Sequence, residues 1–163
     1  MSGAALSGAR TTSMERAATA TLPLLGAALS ASAAVAHLAV AQPHWREWWA
    51  HGAFFVVCAA AQALLAVLLV WRPRPWVAMG GIAGNLAVVC MYVYSRTNGS
   101  PIGPHEGVPE KPELFDLTVT AEELVLVVAL VPLLGERGRR VAMHAVAAVG
   151  AGLWIARLTG VVL

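Results

Sequence analysis

Residues 48–71 read WWAHGAFFVVCAAAQALLAVLLVW and carry no formally charged side chain. At about 1.5 Å per residue a helix of this length reaches roughly 35 Å, enough to cross the hydrocarbon core of a bilayer with some tilt. Tryptophan at both ends suits the headgroup level, and Arg72 and Arg74 follow directly, as is typical of a cytoplasmic end. This segment therefore predicts a membrane-spanning helix.

The composition of the whole chain agrees with that prediction. Hydrophobic residues make up 58% of the 163 residues, charged residues only 12%, and the mean hydropathy is +0.69. Soluble proteins carry about twice that share of charged residues. The net charge of +2 comes from arginines in short loops, which membrane topology already explains, so no nucleic-acid partner is indicated. We expect a polytopic membrane protein in contact with the lipid bilayer.

Four further apolar segments bring the number of predicted spans to five. The spans cover residues 17–41, 48–71, 76–95, 117–134 and 141–162. The fold class is thus an all-α, polytopic transmembrane helical bundle, a single domain over residues 17–163 that follows a disordered cytoplasmic lead at residues 1–16. An alternative is a cleaved export signal ending near Ala34-Val35-Ala36, which would leave four spans.

The distribution of charge in the loops predicts the orientation. Arginine is concentrated in the lead, at residues 72–74 and at residues 137–140, whereas the polar loop at residues 96–116 has a net charge of about −2 from four carboxylates and two basic groups. Cytoplasmic loops of membrane proteins are enriched in Lys and Arg. The prediction is a multi-pass protein of the cell membrane, with a cytoplasmic N-terminus and with the C-terminus and loop 96–116 outside.

Several ionisable residues lie inside the predicted spans, near their outer ends. By the helical rise they fall within roughly 10 Å of the outer boundary; they are His37, His51, Glu122, Glu123 and Arg157. Such residues are costly in lipid and are expected to have partners. Glu123 and Arg157 lie at one depth and are predicted to form a structural polar pair, the alternative being that both reach outward to water.

Histidine spacing permits a metal site. His37, His44 and His51 recur every seven residues, and imidazoles together with a carboxylate suit copper, iron or zinc. The candidate ligands are His37, His51 and Glu123, and the two histidines also meet the minimum for a haem held between helices. No HExxH motif or Cys/His cluster is present, so interfacial or hydrogen-bonded structural histidines are the alternative.

Two neutral amides, Gln62 and Asn85, lie near the middle of the second and third spans. An amide at this depth needs a partner, and hydrogen bonds between helices contribute about 0.6 to 2 kcal/mol. We predict that the two side chains join these spans. The alternative is a polar lining for a lipid or quinone pocket.

The segments HLAVAQPHWREWW, GNLAVV and SRTNGSPIGP, with the spacing from Asp116 to Glu123, resemble an uncharacterised family of small multi-span membrane proteins common in actinobacteria. The SRTxGxPxGP loop is the most specific part. The resemblance implies matching positions for His37, Gln62, Asn85, Ser95, Arg96, the loop prolines and Glu123. It implies no reaction, ligand or partner.

Two functional hypotheses follow. The first is a non-enzymatic accessory or structural membrane component that packs its own helices and those of a larger membrane complex or a second copy. The second is a small outward-facing redox protein that binds haem, copper or iron through His37, His51 and Glu123. Catalytic triads, phosphate-binding glycine loops and nucleotide fingerprints are absent from the sequence, which disfavours an enzyme.

Overall fold

Five α-helices and one short 3-10 turn make up the part of the chain that the structure, a computed structural model, describes. It describes the backbone of residues 3–158, and the side chains from residue 21 onward except those of 153 and 156–158. The elements are α1 (Gly3–Glu47), α2 (Trp49–Trp71), α3 (Pro75–Asn98), α4 (Leu114–Leu130), the 3-10 turn (Val131–Leu133) and α5 (Glu136–Leu158). The predicted all-α class is confirmed.

Three of these helices are long and apolar enough to cross a membrane: the Thr21–Glu47 part of α1, all of α2 and all of α3. Only a minority of each apolar window is buried inside the protein, 33%, 22% and 39% respectively. Apolar side chains such as Val57 and Val128 face outward and are about two-thirds exposed, at 66% and 70%. Helices that are apolar on their outer faces as well as in the core are typical of a membrane protein.

Helix α1 is longer at both ends than the predicted first span. Residues 3–16, expected to be a disordered lead, continue the helix in the structure, and residues 42–47, expected in the outer loop, are helical too. The segment before Pro23 contains no proline and is rich in alanine, the residue with the highest helix propensity. The expectation of disorder had rested on the small and polar side chains of that segment. Residues 1–2 lie outside the described residues.

Helices α1 and α2 reverse direction through one non-helical residue, Trp48, whose backbone is extended at φ −159° and ψ 129°. Its amide N–H donates to the carbonyl of His44 at 2.9 Å, and its own carbonyl accepts from the amides of His51 and Gly52. Because the connection is so short, the first turn of α2 packs directly against the last turn of α1, with Gly52 next to Trp45. The two helices consequently pack along their length.

Helix α4 ends at Leu130 because a proline follows. Pro132 has no amide hydrogen to donate and its ring would clash with the carbonyl four residues earlier, so the chain tightens into the 3-10 turn. The amide of Leu134 donates to the carbonyl of Val131 at 3.1 Å and closes the turn. The fourth span, predicted to run to residue 134, is thus an α-helix that finishes in a tighter turn.

The apolar core lies between α1, α2, α3 and α4, toward the end of the bundle where α2 meets α3. Its largest fully buried apolar side chains are Leu69, Ile82, Leu126 and Leu130. Gly81 of α3 keeps this core tight, since an added Cβ would lie 2.8 Å from a Leu130 methyl and 2.9 Å from a Leu65 methyl. The buried polar side chain of Asn85 borders this cluster, since its Nδ2 donates to the carbonyl of Gly81 at 2.7 Å.

Candidate functional site

Five polar side chains on four helices are buried within the bundle, each 5% exposed or less: Ser30, His37, Gln62, Asn85 and Glu123. Four of them had been singled out from the sequence. Burial of a polar group is unfavourable unless it is hydrogen-bonded. Each of the five has a hydrogen-bond partner in another helix.

His37 of α1 and Glu123 of α4 form a close buried pair. Nε2 of His37 lies 3.0 Å from Oε1 of Glu123, and the two side chains are 5% and 1% exposed. The contact satisfies one ring nitrogen and one carboxyl oxygen, as burial of these two polar groups requires.

A chain of hydrogen bonds joins α1, α2 and α3. Ser30 Oγ donates to Gln62 Oε1 at 2.6 Å or to the Gln62 carbonyl oxygen at 2.7 Å, and Gln62 Nε2 donates to Asn85 Oδ1 at 2.8 Å. Asn85 Nδ2 in turn donates to the carbonyl of Gly81 at 2.7 Å. The two amides predicted to join the second and third spans are thus in direct contact, and Ser30 extends the connection to α1.

These contacts form two layers along the bundle. Ser30 and His37 are seven residues apart on α1, so they share one face and lie about 10 Å apart along its axis. Sequence reasoning missed Ser30, although its heptad spacing from His37 was a usable signal. The layer of Ser30, Gln62 and Asn85 holds three helices together, and the layer of His37 and Glu123 fastens α4 to them.

His51, the third candidate metal ligand, has another partner. Its Nε2 lies 3.1 Å from Ser100 Oγ, and its ring meets the ring of Trp48 edge-on at 4.9 Å between centroids. The structure thus brings His37 and Glu123 together and directs His51 to Ser100 in the segment between α3 and α4. Among the side chains that are described, no group of three or more His, Cys, Asp or Glu residues is close enough to hold one metal ion.

Arg96 fastens the segment between α3 and α4. Its guanidinium pairs with Glu110 and with Asp116, the latter at 2.6 Å from Nη2 to Oδ2, and its carbon lies 4.8 Å from the centre of the Tyr92 ring. The partner carboxylates are one-quarter to two-fifths exposed, so water weakens each ion pair. Arg96 therefore orders the loop more than it stabilises the bundle.

A second contact ties the loop to the end of α1. His105 Nε2 lies 2.9 Å from Glu47 Oε1, and both side chains are about half exposed. Gly99 starts the loop at φ +81°, in the left-handed region that glycine adopts readily. The loop at residues 99–113 therefore lies against the helix ends on the side of the bundle where His51 and Trp48 are found.

The sequence matches no known protein family, no curated protein and no solved structure. The five buried polar side chains of the bundle are hydrogen-bonded across helices, and the ion pairs of Arg96 and His105 order the loop at residues 99–113.

The predicted pair of Glu123 and Arg157 involves a side chain that lies outside the described residues. In the structure the partner of Glu123 is His37. Of the two adjacent glutamates, Glu123 is buried and Glu122 is only half-buried, as their angular separation of about 100° requires. The sequence placed His37 and Glu123 at one level and named them with His51 as candidate ligands, but it did not predict that the two form a pair without His51.

The amide contact supports a prediction for Gln62→Leu. Leucine keeps most of the side-chain volume but leaves Asn85 Oδ1 without its donor, while Ser30 keeps the Gln62 carbonyl as acceptor. We expect the free energy of unfolding in detergent micelles to fall by about 1 to 2 kcal/mol, the upper range for polar contacts between membrane helices. A cycle with Asn85→Leu is the control, and purely additive losses would contradict a direct interaction.

Proposed function

We propose that this chain is a non-enzymatic integral membrane protein of five spans, an accessory or structural component of a bacterial inner membrane. One observation carries the proposal: the five buried polar side chains of the bundle form hydrogen bonds between helices. Such contacts stabilise helix packing in lipid, where burial of apolar groups gives no driving force for association. A bacterial source is part of this proposal and rests on the resemblance of the SRTNGSPIGP segment alone.

Helix lengths support the count of five spans. Helix α4 has 17 residues and rises about 26 Å, and the 3-10 turn of 3 residues adds about 6 Å, so together they match a hydrocarbon core of about 30 Å. Helix α5 has 23 residues and rises about 35 Å. With five crossings, the basic segments at residues 72–74 and 137–140 share the cytoplasmic side with the N-terminus, and the C-terminus is outside.

The partners proposed for such a component are the lipid bilayer and either a larger membrane complex or a second copy of the chain. Helix α3 offers a suitable face, since an added Cβ at Gly80 or Gly84 would meet nothing within 4 Å. Small residues four apart allow two membrane helices to approach closely.

Cysteine labelling tests the topology. In a background lacking Cys58 and Cys90, single cysteines replace Val108 in the outer loop, Gly135 before α5 and Leu163 at the C-terminus. A membrane-impermeant maleimide is expected to label residues 108 and 163 in intact cells, and residue 135 only after permeabilisation. Labelling of residues 108 and 135 from the same side would overturn the proposed orientation.

A redox protein that binds haem, copper or iron is the second candidate, because the structure brings the imidazole of His37 to within 3.0 Å of the Glu123 carboxylate. Both groups are metal ligands. An absorption spectrum and a metal analysis of the protein purified in mild detergent separate the two functions. A Soret band or near-stoichiometric copper or iron would support the redox protein, and their absence would support the accessory component.

A further inference from the structure

A groove lies between α1 and α2 at the end of the bundle that faces the outer loop. It is open on one side, has a volume of about 430 Å³ and is lined by Leu38, Ala41, Gln42, Trp45, Arg46 and Val56. Ala41 forms its floor and is 5% exposed, whereas Leu38, Trp45 and Val56 stand at its sides and are 42–60% exposed. An open groove on a helix pair suits a ligand that also contacts the surrounding lipid.

The lining residues of α1 follow a gradient of polarity. Positions 38, 41, 42, 45 and 46 recur every three to four residues, so they share one face of the helix. From Leu38 to Arg46 the helix rises about 12 Å and passes from an aliphatic side chain through the amide of Gln42 to a cation. A phospholipid has the same order of groups, from acyl chain through ester to phosphate.

The positive charge at the outer end of the groove is available to a ligand. Arg46 is exposed, and no carboxylate within the described part of the chain forms an ion pair with it. Its neighbour Glu47 is paired with His105. Arg46 lies in the last turn of α1, where unpaired carbonyl groups disfavour an anion, so the guanidinium itself must supply the attraction.

We propose that this groove binds one anionic phospholipid of the membrane. The Arg46 guanidinium binds the phosphate, for which its planar pair of donors is suited. Gln42 and Trp45 lie at the level of the glycerol esters, where an indole ring is favoured. An acyl chain lies over Ala41, between Leu38 and Val56. The inference requires only that α1 and α2 lie in the membrane, and it depends on neither the number of spans nor the accessory role.

Lipid retention measures this site directly. The full-length protein is reconstituted in nanodiscs of phosphatidylcholine and phosphatidylglycerol in equal amounts, released into mild detergent, and its bound lipids are counted by native mass spectrometry. The wild type is expected to retain one phosphatidylglycerol in preference to phosphatidylcholine. Arg46→Gln should lower that preference about fivefold, the effect of one basic side chain at a membrane surface. Arg72→Gln, which removes an exposed arginine at the other end of α2, is the matched control.

A second variant tests the contribution of the groove's shape separately from that of the Arg46 charge. Val56→Trp keeps Arg46 but fills the space beside Ala41, and it should also lower retention of phosphatidylglycerol. Unchanged retention in Arg46→Gln or in Val56→Trp, or an equal loss in Arg72→Gln, would overturn the proposal. Displacement of the lipid by millimolar inorganic phosphate would overturn it as well, since the site would then recognise the phosphate alone.

Discussion

Replacement of His37 by leucine is expected to lower the free energy of unfolding by about 1 to 3 kcal/mol, the usual cost of leaving a buried polar group without its hydrogen-bond partner. Glu123 is 1% exposed and has its hydrogen bond from or to the ring of His37. Without that ring the carboxyl group keeps its burial and loses its partner. The loss can be measured by titrating the protein in mild detergent with a denaturing detergent and following helicity.

A double variant and a control variant test whether the loss of stability comes from the contact between His37 and Glu123. The double variant His37→Leu, Glu123→Leu removes both polar groups and should recover most of the stability, because apolar replacement of a whole buried pair is often neutral or stabilising. Glu122→Leu is the matched control on the same helix, and we expect its effect to be under 1 kcal/mol because this carboxylate is only half-buried. Additive losses from the two single variants would argue against a coupled pair.

A second double-variant cycle tests the pair of Glu123 and Arg157 that was predicted from the sequence. Glu123→Gln and Arg157→Met, singly and together, should give additive losses if His37 is the partner of Glu123. Non-additive losses would mean that Arg157 also interacts with the carboxylate. Both outcomes are read in the same unfolding titration.

Sequence patterns predict the helices and the expected level of their polar side chains, but not which of these side chains are in contact. Apolar runs with tryptophan and arginine at their ends predict the helices, and the helical rise predicts the depth of each polar side chain. Partners depend on how each helix is rotated, and one residue changes that direction by about 100°. From the sequence, His37 and Glu123 were therefore expected at one level and were named with His51 as candidate ligands, whereas the helix rotation that pairs His37 with Glu123 and turns His51 toward Ser100 was not predictable.

The segment between α3 and α4, residues 99–113, shows a second limit of prediction from sequence. Its prolines and glycines predict a segment without helix, and α3 and α4 do leave residues 99–113 outside the helices. The contacts from Ser100 to His51 and from His105 to Glu47 join residues about fifty positions apart. Such contacts follow from the path of the backbone through Gly99 at φ +81°, which no periodicity in the sequence encodes.

Gly52 is the position in the tight turn between α1 and α2 at which one added methyl group should have the largest effect. A Cβ there would lie 2.5 Å from Trp45 Cβ and 2.6 Å from Trp45 Cα. Because a backbone atom is among these neighbours, no side-chain rotation relieves the clash, and α1 must move away from α2. We expect Gly52→Ala to destabilise the protein by about 3 kcal/mol, the upper end of the usual range for overpacking.

Gly150→Ala in α5 is the control for Gly52→Ala, because an added Cβ there meets nothing within 4 Å. Alanine is favoured over glycine in a helix by about 1 kcal/mol, so this variant should be neutral or slightly stabilising. A Gly52→Ala protein as stable as the wild type would contradict the close packing of Gly52 against Trp45, and with it the one-residue connection at Trp48. Because the lipid groove is built on the same pair of helices, separation of α1 from α2 should also lower phosphatidylglycerol retention, whereas Gly150→Ala should leave it unchanged.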